Sequence, residues 1–291
     1  MKKLTVFTPT FNRAHTLGRL YESLLRQKDT SFCWLIVDDG STDGTEDLVN
    51  SYIAEDKVEI RYFKQANGGK QRAHNQGVKM CETELFVCLD SDDYLTDDAV
   101  SNILDYWASI DDSDDVAGII AQKGLSEHEI MGTNYPEKLR FSTLWDLNHK
   151  HHFQGETALV YRTDILRDYL FPVAPGEKFI SESYVYDQID QSYQMALLPK
   201  VVMICEYLPD GYTRNNRRTT RNNPIGYMRV KRLELDLVNG LIQKMITTSL
   251  YLVGAYYSND YWSYWKELPN RAMAAICTIP SVLLAVTVFA K

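Results

Sequence analysis

Residues 34–44 read Trp34-Leu35-Ile36-Val37-Asp38-Asp39-Gly40-Ser41-Thr42-Asp43-Gly44, an apolar run that ends abruptly on two carboxylates and a turn. A short apolar run bounded by turn residues reads as a buried strand. The same grammar repeats outward in both directions. Leu4-Thr5-Val6-Phe7 is a short first strand, interrupted at Pro9. Leu17, Leu20, Tyr21, Leu24 and Leu25 follow at helical spacing. Leu48, Val49, Tyr52 and Ile53 mark a second helix, with Thr42 or Asp43 as its expected N-cap. Val58 to Phe63 is a third strand, residues 70–80 a third helix, and Leu85-Phe86-Val87-Cys88-Leu89 a fourth strand that runs into Asp90-Ser91-Asp92-Asp93.

Strands alternating with helices predict an α/β fold with an open, mostly parallel sheet. Such sheets bind ligands outside the carboxyl ends of their strands. Three polar clusters lie at those ends: Asp38-Asp39 after the second strand, Asn67-Gly68-Gly69-Lys70 after the third, and Asp90-Ser91-Asp92 after the fourth.

The 291 residues are 45% hydrophobic and 24% charged, the composition of a globular protein. A net charge of −8 argues against a nucleic-acid partner, which would want a basic excess. Cys33, Cys81, Cys88, Cys205 and Cys277 are odd in number and form no CxxC pair, so neither a disulfide framework nor a zinc site is expected. The amino-terminal apolar run is too short for a signal peptide, which predicts a cytoplasmic protein. The expected organisation is a nucleotide-binding half over residues 1–100, an acceptor-binding half over 101–210, and a basic, helical region over 211–291. The acidic stretch Asp111 to Asp115 marks a candidate loop between the halves.

Each cluster has a chemical and a plain reading. Asp90 and Asp92, one residue apart at a strand end, suit Mg²⁺ or Mn²⁺ bridging to a diphosphate, and equally suit an acidic turn before the next helix. The Asp39 carboxylate can accept a hydrogen bond from the imide N–H of a uracil ring, whereas Ser41, Thr42 and Asp43 read as turn and cap. Gly68 and Gly69 let backbone approach a ligand, and Lys70 adds a cation for phosphate. His149, His151 and His152 read as a solvated loop, since no partner spacing supports a metal.

Taken together, Thr8-Pro9-Thr10-Phe11-Asn12-Arg13, Val37 to Asp43, Asn67 to Lys70 with Ala73, Asn75 and Gly77, and Leu89 to Asp93 resemble the family 2 glycosyltransferases, inverting enzymes of the GT-A fold. The resemblance covers residues 4 to about 97. It implies that Thr10, Asn12 and Asp39 hold the nucleobase, with Lys70 near base or phosphate. Asp90 would lie near ribose or metal, and Asp92 would be the main metal ligand. It also implies Mn²⁺ or Mg²⁺ as cofactor and a UDP-sugar as donor. The acceptor side is less regular. Lys178 to Val185 is similar to the family's base-bearing segment, but Glu182 stands where an aspartate is usual and no second acid precedes it; Asp187 is the reserve candidate. Gly155-Glu156-Thr157 with Tyr161-Arg162 resembles an acceptor-side strand.

The function so implied is sugar transfer to a glycan or lipid-linked acceptor in surface polysaccharide synthesis, at the inner face of the membrane. Two other classes compete. A sugar nucleotidyltransferase would want a glycine-rich basic loop after the first strand, where Pro9-Thr10-Phe11-Asn12-Arg13 stands instead. A non-catalytic nucleotide-binding partner would tolerate the irregular Glu182 motif. The basic segment Arg214 to Arg232 could close over a diphosphate, touch an anionic membrane, or form a solvated face. The uncharged tail Ala272 to Ala290, broken by Pro280 and preceded by Tyr and Trp residues, could lie on a membrane, pack on its own domain or a twin, or span a bilayer.

Overall fold

The structure is a computed structural model that describes residues 2–110, 114–205 and 216–290. Asp111 and Asp112 of the acidic stretch and Arg214 of the basic segment lie outside the described residues. The chain divides into two compact units: Met1–Leu170 with Tyr186–Glu206, and Phe171–Val185 with Tyr207–Lys291.

The first unit opens with three β–α repeats: β1 (Leu4–Thr10), α1 (Ala14–Leu25), β2 (Phe32–Asp38), α2 (Thr45–Glu55), β3 (Ile60–Lys64) and α3 (Lys70–Met80). There follow β4 (Leu85–Cys88), β5 (Tyr94–Leu95), α4 (Ala99–Ala108), β6 (Val116–Ser126), β7 (Glu129–Ile130), β8 (Phe141–Ser142), α5 (Leu144–His149), β9 (Thr157–Arg162) and α6 (Thr163–Asp168). The chain re-enters the unit within α7 (Ser183–Ile189) and ends it with β10 (Gln194–Ile204). One open sheet results, ordered β3-β2-β1-β4-β9-β6-β10-β5, with β7 beside β6 and β8 beside β10. Strands β3, β2, β1 and β4 are mutually parallel, β9 is antiparallel to both neighbours, and β6 and β10 are again parallel. The α/β open sheet expected from the alternation is thus present, and its amino-terminal half, β3-β2-β1-β4, is wholly parallel.

The first strand runs through Pro9, three residues beyond the expected end. Phe7 and Pro9 share one edge of β1. Phe7 accepts from Leu89 N–H on the β4 side at 2.8 Å, and pairing with β4 stops at Phe7–Cys88. The donor that proline lacks therefore falls where the ladder has already ended. On the other edge the strand continues beside β2 to Thr10–Asp38. The core beneath is built on Trp34, fully buried, whose Nε1 donates to Thr8 Oγ1 at 2.9 Å and which stacks with Tyr21. On the opposite sheet face α3 lies so close to β1 that a Cβ at Gly77 would come within 2.3 Å of the Phe7 ring. Burying a side chain such as Phe7 contributes roughly 1.5–3 kcal/mol, so this position requires glycine.

The second helix starts later than expected. Gly44, not Thr42 or Asp43, is its N-cap residue. Asp43 instead accepts from Thr45 N and Oγ1 with Oδ1 and from Ala14 N with Oδ2. Its carboxylate ties the β2–α2 loop to α1, so it is unavailable as a simple cap.

The second unit contains α8 (Asn216–Asn222), α9 (Pro224–Leu237), α10 (Leu241–Tyr257), α11 (Tyr261–Glu267) and α12 (Arg271–Leu284), continued by a π-helical turn over Ala285–Phe289. Its core is Met228, Tyr251, Leu252, Ala255, Leu268, Ala274 and Cys277. The irregular segment before α7 is clipped to the start of α9: Glu177 accepts from Ile225 N and Gly226 N at 2.7 and 2.8 Å, and Asn223 Oδ1 accepts from Lys178 N and Phe179 N. A buried carboxylate at a helix amino terminus is favoured by the exposed N–H groups there. Pro280 does not break the tail, since α12 runs through it. The cost of one lost helical bond is offset by a buried face, Ala274, Cys277, Ser281 and Ala285, with side-chain hydrogen bonds from Trp265 to Thr278 and between Tyr261 and Ser281. In the basic segment Arg229 donates to the Pro172 carbonyl, Lys231 pairs with Glu234 and Arg232 with Asp236, while Arg217 and Arg218 are exposed.

Candidate active site

The carboxyl ends of β1, β2, β3 and β4 fall side by side because these strands are parallel and in register. The three polar clusters are therefore brought to one rim of the first unit. Asp38 ends β2 fully buried; its carboxylate accepts from Ser41 N at 2.7 Å and from the Tyr62 hydroxyl at 2.6 Å. Burial and that carboxylate push the Tyr62 phenol far up, so it stays a donor. Asp38 is a structural residue that shapes the turn. Gly40 follows with φ +85°, and a Cβ there would approach Asn67 N to 3.0 Å.

Asp39, 3% exposed, organises the loop that precedes α3. Its Oδ1 accepts from Gln65 Nε2 at 2.7 Å and Gly68 N at 2.9 Å, and its Oδ2 from Gly69 N at 2.7 Å. An ionised carboxylate has about four acceptor sites, so three bonds leave room for one more donor. Asn67 Nδ2 also donates to the Asp39 carbonyl. Gln65 was not singled out in the sequence; its side chain gives no motif, and only the β2–β3 register brings it here.

Asn12 has left-handed backbone, φ 54°, which asparagine tolerates better than most residues. Its N–H donates to Ser41 Oγ and its Oδ1 accepts from Thr42 N, both at 2.8 Å. Ser41 and Thr42 thus hold Asn12 at the rim. Thr10, buried beside it, has an Oγ1 with no hydrogen-bond partner among the described residues. An unsatisfied buried hydroxyl costs about 1–3 kcal/mol, which a ligand at this rim could relieve.

Lys70 is the first residue of α3, and its ammonium lies 2.8 Å from Asp90 Oδ1 and 2.9 Å from Oδ2. Burial alone would push the Asp90 carboxyl up, but the charges of Lys70 and Lys123 outweigh it and hold the group below the usual carboxylate range. The Asp92 carboxylate is half-buried and makes no hydrogen bond or ion pair among the described residues; its backbone carbonyl is held by Arg19 at 2.8 Å. Asp93 turns inward, accepts from Cys205 Sγ at 3.0 Å and lies 3.3 Å from Lys123 Nζ, with Glu156 3.8 Å from the same ammonium. Burial pushes the Asp93 carboxyl up despite Lys123. Burial pulls on Lys123 in the other direction, yet its acidic neighbours keep it firmly charged. Lys123 and Cys205 come from β6 and from the residue after β10. Asp93 and Glu156 stand in stretches the sequence singled out, but Lys123 and Cys205 carry no motif that points to this cluster.

Among the described residues no three His, Cys, Asp or Glu side chains could hold a metal ion by themselves. Mg²⁺ and Mn²⁺ do not require this, since such ions use one or two carboxylates, waters and substrate phosphates. The unengaged Asp92 carboxylate, with Asp90 two residues before it, fits that donor set.

Glu182 belongs to the second unit, in the turn before α7, where its carbonyl accepts from Val185 N at 3.1 Å; Asp187 belongs to the first unit and is buried. Glu182 is the more accessible of the two acids. Asp190, passed over in the sequence, accepts from Trp145 N at 2.7 Å at the start of α5, while its buried Oδ1 has no partner among the described residues. Burial pushes its carboxyl up to about 6, against the two backbone donors that favour its charge. A carboxyl raised in the fold is protonated more readily there than in the unfolded chain. Its contribution to stability is therefore present at low pH and lost as pH rises from about 4 through about 6. Asp190→Asn is expected to gain melting temperature relative to the wild type as pH rises over that window, and by an amount worth up to about 3 kcal/mol. A wild-type-minus-variant difference that is flat from pH 4 to 7 would contradict the assignment.

Residues 5–170 match the family model described as glycosyl transferase family 2. The chain is 29% identical over 170 residues to poly(ribitol-phosphate) beta-N-acetylglucosaminyltransferase TarS of Staphylococcus aureus (strain MW2), an alignment covering 58% of this chain and 29% of that protein. The chain thus spans less than a third of that relative's length. Among solved structures, TarS residues 1–349 in complex with UDP-GlcNAc superposes with a TM-score of 0.60 at 18% identity, covering 96% of this chain and 89% of that one. A mannosyltransferase from Pyrobaculum calidifontis in complex with GDP-Man and Mn2+ gives 0.57 at 16% identity, covering 99% and 82%. These two likenesses concern the fold. The family match extends from the first strand to just past α6, over more than half of the chain, and on that ground the protein belongs to glycosyltransferase family 2.

Proposed function

We propose that the chain transfers a sugar with inversion from a nucleotide-sugar, a UDP-sugar in particular, to a hydroxyl of a glycan or lipid-linked acceptor in surface polysaccharide synthesis, working on the cytoplasmic side of the membrane. The observation that carries the reading is the rim itself. A buried carboxylate with one acceptor site to spare, the amino terminus of α3 with Lys70, and an unengaged Asp92 stand at neighbouring strand ends. The names of the similar proteins support the same class, in the UDP-GlcNAc complex of TarS and the GDP-Man and Mn2+ complex of the mannosyltransferase.

In this reading Asp39 accepts the imide N–H of the base, and Asn12 and Thr10 line the same pocket wall. Lys70 and the first N–H groups of α3 favour the diphosphate. Asp92, with Asp90, would hold a divalent cation, which when bound supplies charge neutralisation for the leaving diphosphate. Glu182 takes the proton of the acceptor hydroxyl as that oxygen bonds to the anomeric carbon. The bond from that carbon to the diphosphate oxygen breaks on the opposite face, and its electron pair leaves with the diphosphate. The base assignment rests on the sequence motif, with Asp187 as its rival.

The test combines binding and turnover. UDP or a UDP-sugar with Mn²⁺ is expected to raise the melting temperature of the wild type, since ligands stabilise the state that binds them. Glu182→Gln should keep that shift and lose about 10²–10⁴-fold in transfer. A shift with GDP alone would replace uridine by guanosine as the base. Full transfer in Glu182→Gln would move the base to another residue, and no shift with any nucleotide would remove the donor-site reading.

A further inference from the structure

The second unit carries a helix whose polarity is inverted for a water-facing surface. The buried side of α12 and its π-helical extension is small: Ala274, Cys277, Ser281 and Ala285. The side turned to solvent carries the large aliphatic residues, with Ile276 62%, Ile279 71% and Leu283 57% exposed, followed by Val286. In an aqueous helix these sets would be exchanged, because large apolar side chains gain most from burial. The inner partner, α10, buries Thr247, Thr248, Ser249 and Gly254 alongside Tyr251, Leu252, Val253 and Ala255. Small and hydroxyl-bearing residues between helices with large aliphatics outside is the distribution found where the surroundings are hydrocarbon. Within Arg271–Phe289 an 18-residue window has a mean hydropathy of 2.2, and no charge follows Arg271 in that stretch.

Charge identifies what the stripe meets. The second unit holds 12 Lys and Arg against 7 Asp and Glu, a net +5, within a chain whose net charge is −8. Arg271 is exposed at one end of the stripe. At the other end Arg221 donates to the Ala290 carbonyl, tying down α8, on which Arg217 and Arg218 are exposed. Trp262, 62% exposed, stands on α11, which packs beside the middle of α12 through Tyr261–Ser281 and Trp265–Thr278. Aliphatics flanked by cations and a tryptophan match the acyl boundary and headgroups of an anionic membrane. A second copy of the chain would bring like charges together at both ends.

We infer that the outer face of α12 docks in the plane of an anionic membrane, with Ile276, Ile279, Leu283 and Val286 at the acyl boundary and Arg271, Arg217 and Arg218 on the headgroups. The helix lies on the surface, because its other face is hydrogen-bonded to the protein's own helices. This inference is independent of the catalytic reading.

Co-sedimentation of the full chain with vesicles tests it. The protein should pellet with phosphatidylcholine vesicles containing phosphatidylglycerol, much less with phosphatidylcholine alone, and less as salt is raised. The triple change Ile276→Gln, Ile279→Gln, Leu283→Gln replaces exposed side chains, so the melting temperature should hold while binding falls tenfold or more. Should that variant fail to fold, Arg217→Gln, Arg218→Gln, Arg271→Gln reads the electrostatic part, again with a tenfold or larger loss. Wild type that stays in the supernatant with anionic vesicles overturns the proposal, as does a folded triple variant that binds like wild type. A concentration-dependent dimer dissolved by the same aliphatic changes would assign the face to a second copy. Resistance of bound protein to alkaline carbonate extraction would assign it to a span.

Discussion

Asp92→Ala is expected to lower sugar transfer about a thousandfold while leaving the free protein as stable as the wild type. The two halves of this expectation have separate causes. A divalent ion at a leaving diphosphate stabilises the transition state by several kcal/mol, and about 4 kcal/mol is a thousandfold in rate. The fold is indifferent because the Asp92 carboxylate engages no partner among the described residues, and the contact that Arg19 makes is to the Asp92 backbone carbonyl, which alanine retains. The measurements are the unliganded melting temperature, the metal-dependent shift with UDP-sugar, and turnover. Loss of the shift with an unchanged unliganded melting temperature supports Asp92 as a metal-holding residue. Wild-type turnover in this variant would mean that the metal, if used, is held elsewhere.

Asp39→Ala should behave oppositely, damaging fold and donor binding together. Its carboxylate is the acceptor for Gln65 Nε2, Gly68 N and Gly69 N, so truncation strands three donors at once. Water can reach part of this loop, so the expected loss is about 2–4 kcal/mol rather than the full sum of three buried deficits. Donor affinity should fall a hundredfold or more, because the loop that leads into α3 loses its anchor along with the base contact. Asp39→Asn should be intermediate: its oxygen can still accept from Gln65 and Gly68, but its amide would face the Gly69 N–H, donor to donor. Urea midpoints and nucleotide titrations for the three proteins would give that ranking. A stable Asp39→Ala protein that binds UDP normally would show that the loop is organised by other contacts.

The two aspartates also show what kind of information sequence carries. Both stand at strand ends that were readable, because an apolar run of β-branched and aromatic residues stopping on Asp-Asp or Asp-Ser-Asp has a local physical meaning. The extent of α3, residues 70–80, was readable as well. What each carboxylate does was not. Asp38, Asp39, Asp90, Asp92 and Asp93 look alike in the chain, yet the fold pairs Asp38 with Tyr62, gives Asp39 to the glycine loop, Asp90 to Lys70 and Asp93 to Lys123, and leaves the Asp92 carboxylate without a partner among the described residues. Gly44 replaced the expected cap because Asp43 was already committed to Ala14 and Thr45, contacts between segments 29 residues apart in one case.

The tail gives the same lesson with the sign reversed. Its lack of charge was plain, but periodicity could not say which side of α12 faces inward, since both sides are apolar. That was decided by α10 and α11, whose Thr, Ser, Tyr and Trp side chains accept the small face and leave the isoleucines outside. Local patterning by itself determined the β–α alternation, the parallel amino-terminal half and the rim where a ligand would bind, because hydrophobic period and turn chemistry are properties of neighbours along the chain. The partner of each charge, the insertion of antiparallel β9 between β4 and β6, and the outward aliphatic face were decided only by tertiary structure, because they depend on residues far apart in sequence meeting where water is excluded.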